Sequence, residues 1–392
     1  MEYWKYYEPD YKWDNYDSSD FAHTLDLLLK NGISIENAWK LIKSGYICLL
    51  GSEVLIDRFY GGAINSFDLQ TRFPVNYASK IFETEASSSV KVRKVKSLKE
   101  LYASIEDLKG TKELVFRGQN QNHFISREIN NPFLTIPGYG EVSLLPSLWR
   151  RMFEQNPQSL EGFQTLTLME WSNIMYGAFD LAEIEARHQA QLDAGESIYT
   201  MSEMAESSDE LLREFGKFRM DLAMGLNYNL ATTMTTLLQH YGLLSPVLDL
   251  TESLDVALFF ATHKFQQLDG LSSYQFIGSN GGKSVIYVLS YIKYEMERHE
   301  ERQDILKYLK PQRPVQQKCV VCSTNQYAIN LPGLYLREVI LLDFEIPNNL
   351  GVIPEQILPG RAMDKFLDTL SNKLSKKQHI TQFDKNDIGI SA

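Results

Sequence analysis

Residues 239–262, QHYGLLSPVLDLTESLDVALFFAT, constrain the fold more than any other part of this chain. The apolar segment 243–250 predicts a strand, and Pro246 within it indicates an edge position or a bulge. Apolar residues then recur at helical spacing over 254–261, which predicts a helix directly after the strand. We therefore expect a sheet strand that leads straight into a buried helix.

The junction between this strand and this helix is a candidate binding site. His240 and Tyr241, a polar aromatic pair, open the same stretch. Thr251 or Ser253 can cap the helix with a side-chain hydroxyl. Asp249 and Thr251 would then lie beside the helix N-terminus, where free backbone N–H groups and the helix dipole favour an anionic ligand.

Size and charge bound the function classes. With 392 residues, of which 44% are apolar, the chain can form one large or two ordinary domains with a sizeable core. The net charge of -11 argues against nonspecific binding to phosphate backbones or anionic membranes. A local basic groove would have to be built from residues 91–96, Arg150, Arg151 and Arg313.

No apolar run is long enough to span a bilayer, and the first residues are acidic and aromatic, unlike a signal peptide. The three cysteines, Cys48, Cys319 and Cys322, cannot form a complete set of disulfides, which fits a reducing compartment. Cys319 and Cys322 form a CxxC, but no second pair of ligands follows and the two valines between them favour a strand. We expect a cytoplasmic protein with no membrane partner and no metal site.

Two regions are expected along the chain. The run EASSSV at residues 85–90 is a linker candidate, so residues 1–88 are interpreted as a small accessory region. Residues 89–392 are interpreted as the main domain, with a helical insertion around 160–238. The first sixteen residues form an aromatic arm that is expected to pack on the body of the protein or on a partner.

Strand and helix signals continue through the main domain. Alternating basic and apolar residues at 91–96 predict an edge strand that is protected by its charge. A strand at 113–116 then delivers Arg117 into Gly118 and Gln119, where the glycine would let a ligand approach the backbone. Further predicted helices are 17–31, 34–44, 98–108, 144–153, 294–309 and 361–374, and further predicted strands are 46–56, 283–290, 318–322 and 337–346.

Five sequence blocks occur in the order found in one known family. They are FRG at 116–118, PSLWR at 146–150, QHYG at 239–242, LDLTESLDVALFFA at 248–261 and RPVQQ at 313–317. Together they resemble the FRG domain family over residues 95–350. FRG domains in turn look like the ADP-ribosyltransferase fold, in which NAD lies in a cleft between two small sheets. The resemblance implies an α+β protein with a split β core, large helical insertions and a small N-terminal accessory region.

The resemblance also implies roles for individual residues. Arg117 would hold an NAD phosphate or ribose, because its planar fork of donors suits a phosphate. Asp249, Thr251 and Ser253 would support the nicotinamide ribose, and Tyr241 would stack on the nicotinamide. The residues implied to bind NAD, as a co-substrate, are Arg117, Gly118, Gln119, Tyr241, Asp249, Thr251 and Ser253. The residues implied to act in catalysis are Arg117, His240, Tyr241 and Gln317.

One implied catalytic position departs from the family pattern. His240 would bond a ribose hydroxyl, as in a transferase. Gln317, or else Gln316, would stand where transferases carry a glutamate that stabilises the positive sugar formed as nicotinamide leaves. An amide brings no charge to that transition state, so Asp249 or Glu252 is an alternative acid.

Simpler structural interpretations exist for the same residues. Arg117 can pair with a buried acid. His240 and Tyr241 can cap a helix and fill the core. Asp249 and Thr251 can do no more than cap the following helix. The order of the blocks favours the functional interpretation, which predicts that Arg117, His240, Tyr241 and Thr251 converge on one cleft.

The implied function is an NAD-dependent ADP-ribosyltransferase, or an NAD glycohydrolase, that acts as a bacterial toxin or anti-phage effector. Its acceptor would be a protein or a single-stranded nucleic acid, and its partners an antitoxin or subunits of a defence complex. The alternative is a non-catalytic module that binds a nucleotide or a partner. A third interpretation is a structural subunit of a defence complex that docks through the aromatic arm.

Overall fold

The computed structural model describes residues 18–49, 51–61, 71–110, 113–154, 175–228, 237, 239–241, 245–268, 271–299, 308–324, 328–348 and 354–376. The strands are β1 (Tyr46–Cys48), β2 (Val54–Asp57), β3 (Arg72–Pro74), β4 (Lys91–Val95), β5 (Leu114–Gln119), β6 (Val247–Thr251), β7 (His263–Leu268), β8 (Leu271–Phe276), β9 (Val285–Ser290), β10 (Met296–Arg298), β11 (Cys319–Ser323) and β12 (Leu336–Leu342). The helices are α1 (Ser18–Lys30), α2 (Ile35–Lys43), α3 (Ser79–Glu83), α4 (Leu98–Lys109), α5 (Ser147–Glu154), α6 (Leu181–Asp193), α7 (Met201–Ala205), α8 (Glu210–Tyr228), α9 (Leu254–Thr262), α10 (Gln312–Gln316), α11 (Pro354–Ile357) and α12 (Lys365–Lys376). The protein is thus of mixed α+β class.

A seven-stranded sheet organises the main domain, in the order β10-β11-β6-β5-β9-β12-β4. Strand β4 runs parallel to β12, and the other neighbours are antiparallel. The basic strand β4 forms one edge, which confirms the prediction of a charged edge strand.

The sheet is nearly divided between β5 and β6. These two strands pair at one position, Phe116 opposite Thr251, whereas β5 pairs with β9 along its whole length. Beyond that pair the two strands separate, so a gap opens in the middle of the sheet.

Apolar residues cover both faces of the sheet. Helices α4 and α9 pack on one face, where Leu101 and Leu258 meet Phe116 and Ile340. The opposite face packs against residues such as Val142 and against the 3-10 helix Leu331–Tyr335. Helices α6 to α8 and α12 contribute to a separate cluster.

The N-terminal region shares its core with the main domain. Apolar residues of α1, α2 and β1 to β3 cluster with Ile125, Trp149 and Ile329. Arg127 joins the two parts through buried ion pairs, 2.8 Å to Asp57 Oδ2 and 2.6 Å to Glu141 Oε1. The boundary near residue 88 therefore lies between segments in direct contact, and a separate accessory unit stays a prediction.

Three predicted elements differ from the structure. Residues 46–56 form the hairpin β1–β2 and not one strand, with a turn at Gly51, whose φ of 79° is left-handed. The predicted helix 294–309 is wrong at Met296–Arg298, which pairs with β11; residues 300–307 lie outside the described part. Pro246 directly precedes β6, so the interior strand keeps all of its backbone donors.

Among the described residues, no helix has the length and apolar character needed to cross a membrane.

Candidate functional site

A cleft of about 370 Å³ lies where β5 and β6 separate. The end of β5 and the middle of β6 form its floor. The hairpin β7–β8 and helices α5 and α9 contribute further walls. Among the residues predicted from sequence, those that line the cleft are Arg117, Gly118, Gln119, His240, Asp249, Thr251 and Gln317.

Arg117 bridges the gap between the two strands. Its Nη1 donates to the backbone O of Asp249 at 2.6 Å and to Asp249 Oδ1 at 2.8 Å. Burial is the largest single effect and raises the pKa of Asp249, but the lowering effects, of which the positive charge of Arg117 is the largest, together outweigh it, so the pKa lies below its ordinary value. Asp249 is therefore an ionised carboxylate at neutral pH, and the structural interpretation of Arg117 as the partner of a buried acid agrees with this contact.

A second donor fixes the same carboxylate. Gln239 Nε2 donates to Asp249 Oδ1 at 3.1 Å, and Ser147 Oγ donates to Gln239 Oε1 at 2.9 Å. Within the described part of the chain, Asp249 Oδ2 and Arg117 Nη2 make no hydrogen bond. One carboxylate oxygen and one guanidinium nitrogen therefore remain available to a ligand.

Gly118 serves packing, contrary to the prediction that it lets a ligand approach. A Cβ at this position would lie 1.7 Å from the backbone O of Ala257 and 2.8 Å from the backbone N of Ala261. Helix α9 thus rests directly on the strand at Gly118. The space that the missing side chain leaves is filled by the helix.

Thr251 and Ser253 cap helix α9, as the simpler interpretation has it. Ser253 Oγ accepts from the N–H of Val256, and Thr251 Oγ1 accepts from the N–H of Ser253 at 3.0 Å. Thr251 Oγ1 also donates to the backbone O of Gln317 at 2.7 Å. Because both hydroxyls have internal partners, they stabilise the junction between β6 and α9 and offer little hydrogen-bonding capacity to a ribose.

His240 and Gln317 form a chain of hydrogen bonds whose direction is determined. Gln317 Nε2 donates to Ile357 O at 3.1 Å, so Gln317 Oε1 accepts from His240 Nδ1 at 3.0 Å. His240 Nε2, 2.8 Å from Cys319 Sγ, is then the acceptor of the thiol proton. Burial lowers the pKa of His240, which stays neutral. The predicted roles of His240 at a ribose hydroxyl and of Gln317 at the reacting sugar are corrected, because both side chains have internal partners at every polar atom.

Tyr241 does not line the cleft. Its ring is fully buried and packs edge-on against Phe366 with 4.9 Å between ring centroids. Its hydroxyl donates to Asp364 Oδ2 at 2.5 Å. No face of the ring is open, so the predicted stacking on nicotinamide is wrong. Of the four residues predicted to converge, Arg117, His240 and Thr251 do so.

The predicted basic groove is not assembled. Arg150 lines the cleft, but Arg313 is buried, with its guanidinium 5.2 Å from the ring centre of Tyr241. Strand β4, with residues 91–95, is separated from β5 by two other strands. The side chain of Arg151 lies outside the described part.

Sequence reasoning missed several residues of the cleft. His123 lines it near Arg117 and Arg150; burial lowers the pKa of His123, and the two guanidinium charges lower it further. His263 lines the cleft from the start of β7. An aromatic wall is formed by Phe260, Phe265 and Tyr274. The available signal was the alternation of His263 and Phe265, which places both on one face of a strand.

The fold and the cleft define an α+β protein with a polar, aromatic-walled pocket at a break in its central sheet. A family model described as FRG domain matches residues 183–270. This match supports the resemblance of the chain to the FRG domain family. QHYG and LDLTESLDVALFFA lie inside the matched residues, and the other three sequence blocks lie outside them. No match was found among the curated proteins or the solved structures.

Proposed function

We propose that this protein binds NAD in the cleft and cleaves it, passing ADP-ribose to a macromolecular acceptor or to water. The observation that carries the proposal is the ionised carboxylate of Asp249, which keeps Oδ2 open in the cleft. A fixed negative charge stabilises the positively charged ribose that develops as nicotinamide leaves. Asp249 takes the role that the family resemblance implied for Gln317, the stabilisation of the positive sugar.

The remaining walls of the cleft suit a nucleotide. Arg117 and Arg150 bring positive charge for a phosphate. Phe260, Phe265 and Tyr274 offer flat apolar surfaces on which a base can stack. At about 370 Å³, the cleft is within the range of small-molecule sites, roughly 300–1,000 Å³. The division of the sheet beside this cleft supports the likeness to the ADP-ribosyltransferase fold.

An enzyme of this kind would deplete NAD in a cell or modify an essential molecule. We therefore propose a role as a bacterial toxin or anti-phage effector, with an antitoxin or a defence-complex subunit as the partner that restrains it. The acceptor is a protein or a single-stranded nucleic acid. The negative net charge of -11 favours the protein.

Release of nicotinamide from NAD tests the proposal. Asp249→Asn keeps an oxygen for Arg117 but removes the charge, so we expect the rate to fall on the order of 100-fold or more. Glu252→Gln is the matched control, since Glu252 is an acid on the same segment that pairs with Arg298 and does not line the cleft. Equal rates in wild type and in Asp249→Asn, both with a cooperative thermal transition, would remove Asp249 from the reaction.

A second function is favoured by one observation. Both polar atoms of the Gln317 amide are bonded internally, so the position that corresponds to the catalytic glutamate is structural. This arrangement suits a module that binds a nucleotide without chemistry. Calorimetric binding of NAD by the wild-type protein, with no release of nicotinamide in the presence of lysate, would establish this alternative.

A further inference from the structure

His263 occupies a position in the cleft that no motif indicates. It is the first residue of β7 and follows the last residue of α9 directly. Its side chain is half-buried and lines the cleft on the hairpin side, together with Phe265 and Tyr274. The imidazole therefore contacts whatever occupies this end of the cleft.

The ring of His263 is held in one orientation and one tautomer. It stacks on Phe259 with 4.1 Å between ring centroids and an angle of 21°, and the edge of Phe276 closes another side. Nδ1 lies 2.9 Å from the backbone O of Phe259. A carbonyl oxygen can only accept, so Nδ1 carries the proton and Nε2 carries the lone pair. Nε2 has no partner within the described part of the chain.

The groups around His263 leave it neutral and able to accept a proton. Burial lowers its pKa, and the bond to Phe259 O acts in the opposite direction. The neighbours from α9 and β8, namely Phe259, Thr262 and Phe276, carry no charge. Tyr274 shares the wall, and burial raises the pKa of its hydroxyl to about 12, so that it stays protonated.

The other two histidines that line the cleft are less suited to take a proton. His240 has both ring nitrogens bonded internally. A proton on His123 would be repelled by the charges of Arg117 and Arg150.

We propose that His263 is the general base of the cleft, and that it accepts the proton of a hydroxyl or water nucleophile through Nε2. The inference rests on the proposed function and specifies its acceptor as an O–H group. The nucleophile oxygen forms a bond to C1′ of the nicotinamide ribose as the bond from C1′ to the nicotinamide nitrogen breaks. Nicotinamide leaves as a neutral molecule, and the O–H proton passes to Nε2 and then to solvent.

The rate of nicotinamide release as a function of pH tests this assignment. In the wild type the rate should fall as the pH drops through the pKa of His263, because Nε2 becomes protonated; burial places this pKa below the ordinary histidine value of about 6.5. His263→Gln keeps an acceptor in the cleft but cannot take up the proton. We expect its rate at neutral pH to fall about 100-fold, the acid limb to disappear, and KM for NAD to stay within about threefold. His23→Gln, which replaces a histidine bonded to Ser52 O outside the cleft, is the control and should match the wild type.

The outcomes separate this inference from the function on which it rests. If Asp249→Asn is inactive while His263→Gln keeps the wild-type rate and pH profile, the assignment of the base is wrong and the proposed function stands. If the wild type releases no nicotinamide, both are overturned. Should His263→Gln lose its cooperative thermal transition, His263→Asn replaces it, because an asparagine amide can still donate to Phe259 O.

Discussion

Replacing Gly118 with alanine tests whether this glycine serves packing or ligand binding. The added Cβ would lie 1.7 Å from the backbone O of Ala257, whereas carbon contacts are comfortable at about 3.5 Å. Helix α9 would have to move away from β5 by roughly 1.5–2 Å, and packed interiors resist such shifts. Since a backbone atom cannot rotate out of the way, we expect a loss of about 3 kcal/mol, at the upper end for overpacking.

Denaturant unfolding measures this loss as a lower midpoint at an unchanged slope. Gly360→Ala is the matched control, because a Cβ there meets nothing within 4 Å, and it should change the free energy of unfolding by less than about 0.5 kcal/mol. The ligand interpretation predicts the reverse for Gly118→Ala, namely full stability and weakened NAD binding. A loss of less than about 1 kcal/mol would refute the packing argument.

The remaining predictions concern buried charges. Burial lowers the pKa of His299 to about 4. Between about pH 6.5 and pH 4 the unfolded chain therefore binds a proton that the native state excludes. The contribution of His299 to the free energy of unfolding is full above about pH 6.5 and falls by roughly 3 kcal/mol towards pH 4. In His299→Gln the free energy of unfolding, measured by denaturant at a series of pH values, should depend less on pH over that range. A pH dependence equal to that of the wild type would contradict the reasoning. Arg127→Met strands the buried carboxylates of Asp57 and Glu141 and should cost about 3–5 kcal/mol in denaturant unfolding. Arg187→Met, which removes an exposed ion pair, should leave the midpoint of unfolding close to that of the wild type. Similar losses of stability in the two variants would contradict the distinction between buried and exposed ion pairs.

Local signals predicted the elements that depend on local chemistry. Ser97 accepts from the N–H of Glu100 at the start of α4, as its sequence pattern indicates. The unit of β6 and α9 lies where the pattern of residues 239–262 places it. Strand β10 could not be recognised, because its three residues are charged or flexible and the pairing with β11 decides their conformation.

Several residues of the cleft were predictable from the sequence, but their hydrogen bonds were not. His240 and Tyr241 are adjacent in sequence, yet one lines the cleft and the other is buried against Phe366, since neighbouring side chains at a helix end point in different directions. Gln317 lines the cleft, but contacts from distant segments occupy its amide. These contacts join residues far apart in the chain, and no local sequence pattern specifies them.

The alternation of a strand lets the Phe-Arg-Gly tripeptide pack on one face and contact Asp249 on the other. Phe116 and Gly118 face helix α9, and Arg117 on the opposite face reaches Asp249. The structural and the ligand interpretations of Arg117 are therefore compatible, because Nη1 makes both bonds to Asp249 and leaves Nη2 for a phosphate or a ribose. Arg117→Ala would remove both roles at once and also strand the carboxylate. Arg117→Lys keeps a positive charge beside Asp249 but lacks a second nitrogen donor. It therefore separates the pairing with Asp249 from the binding of a ligand.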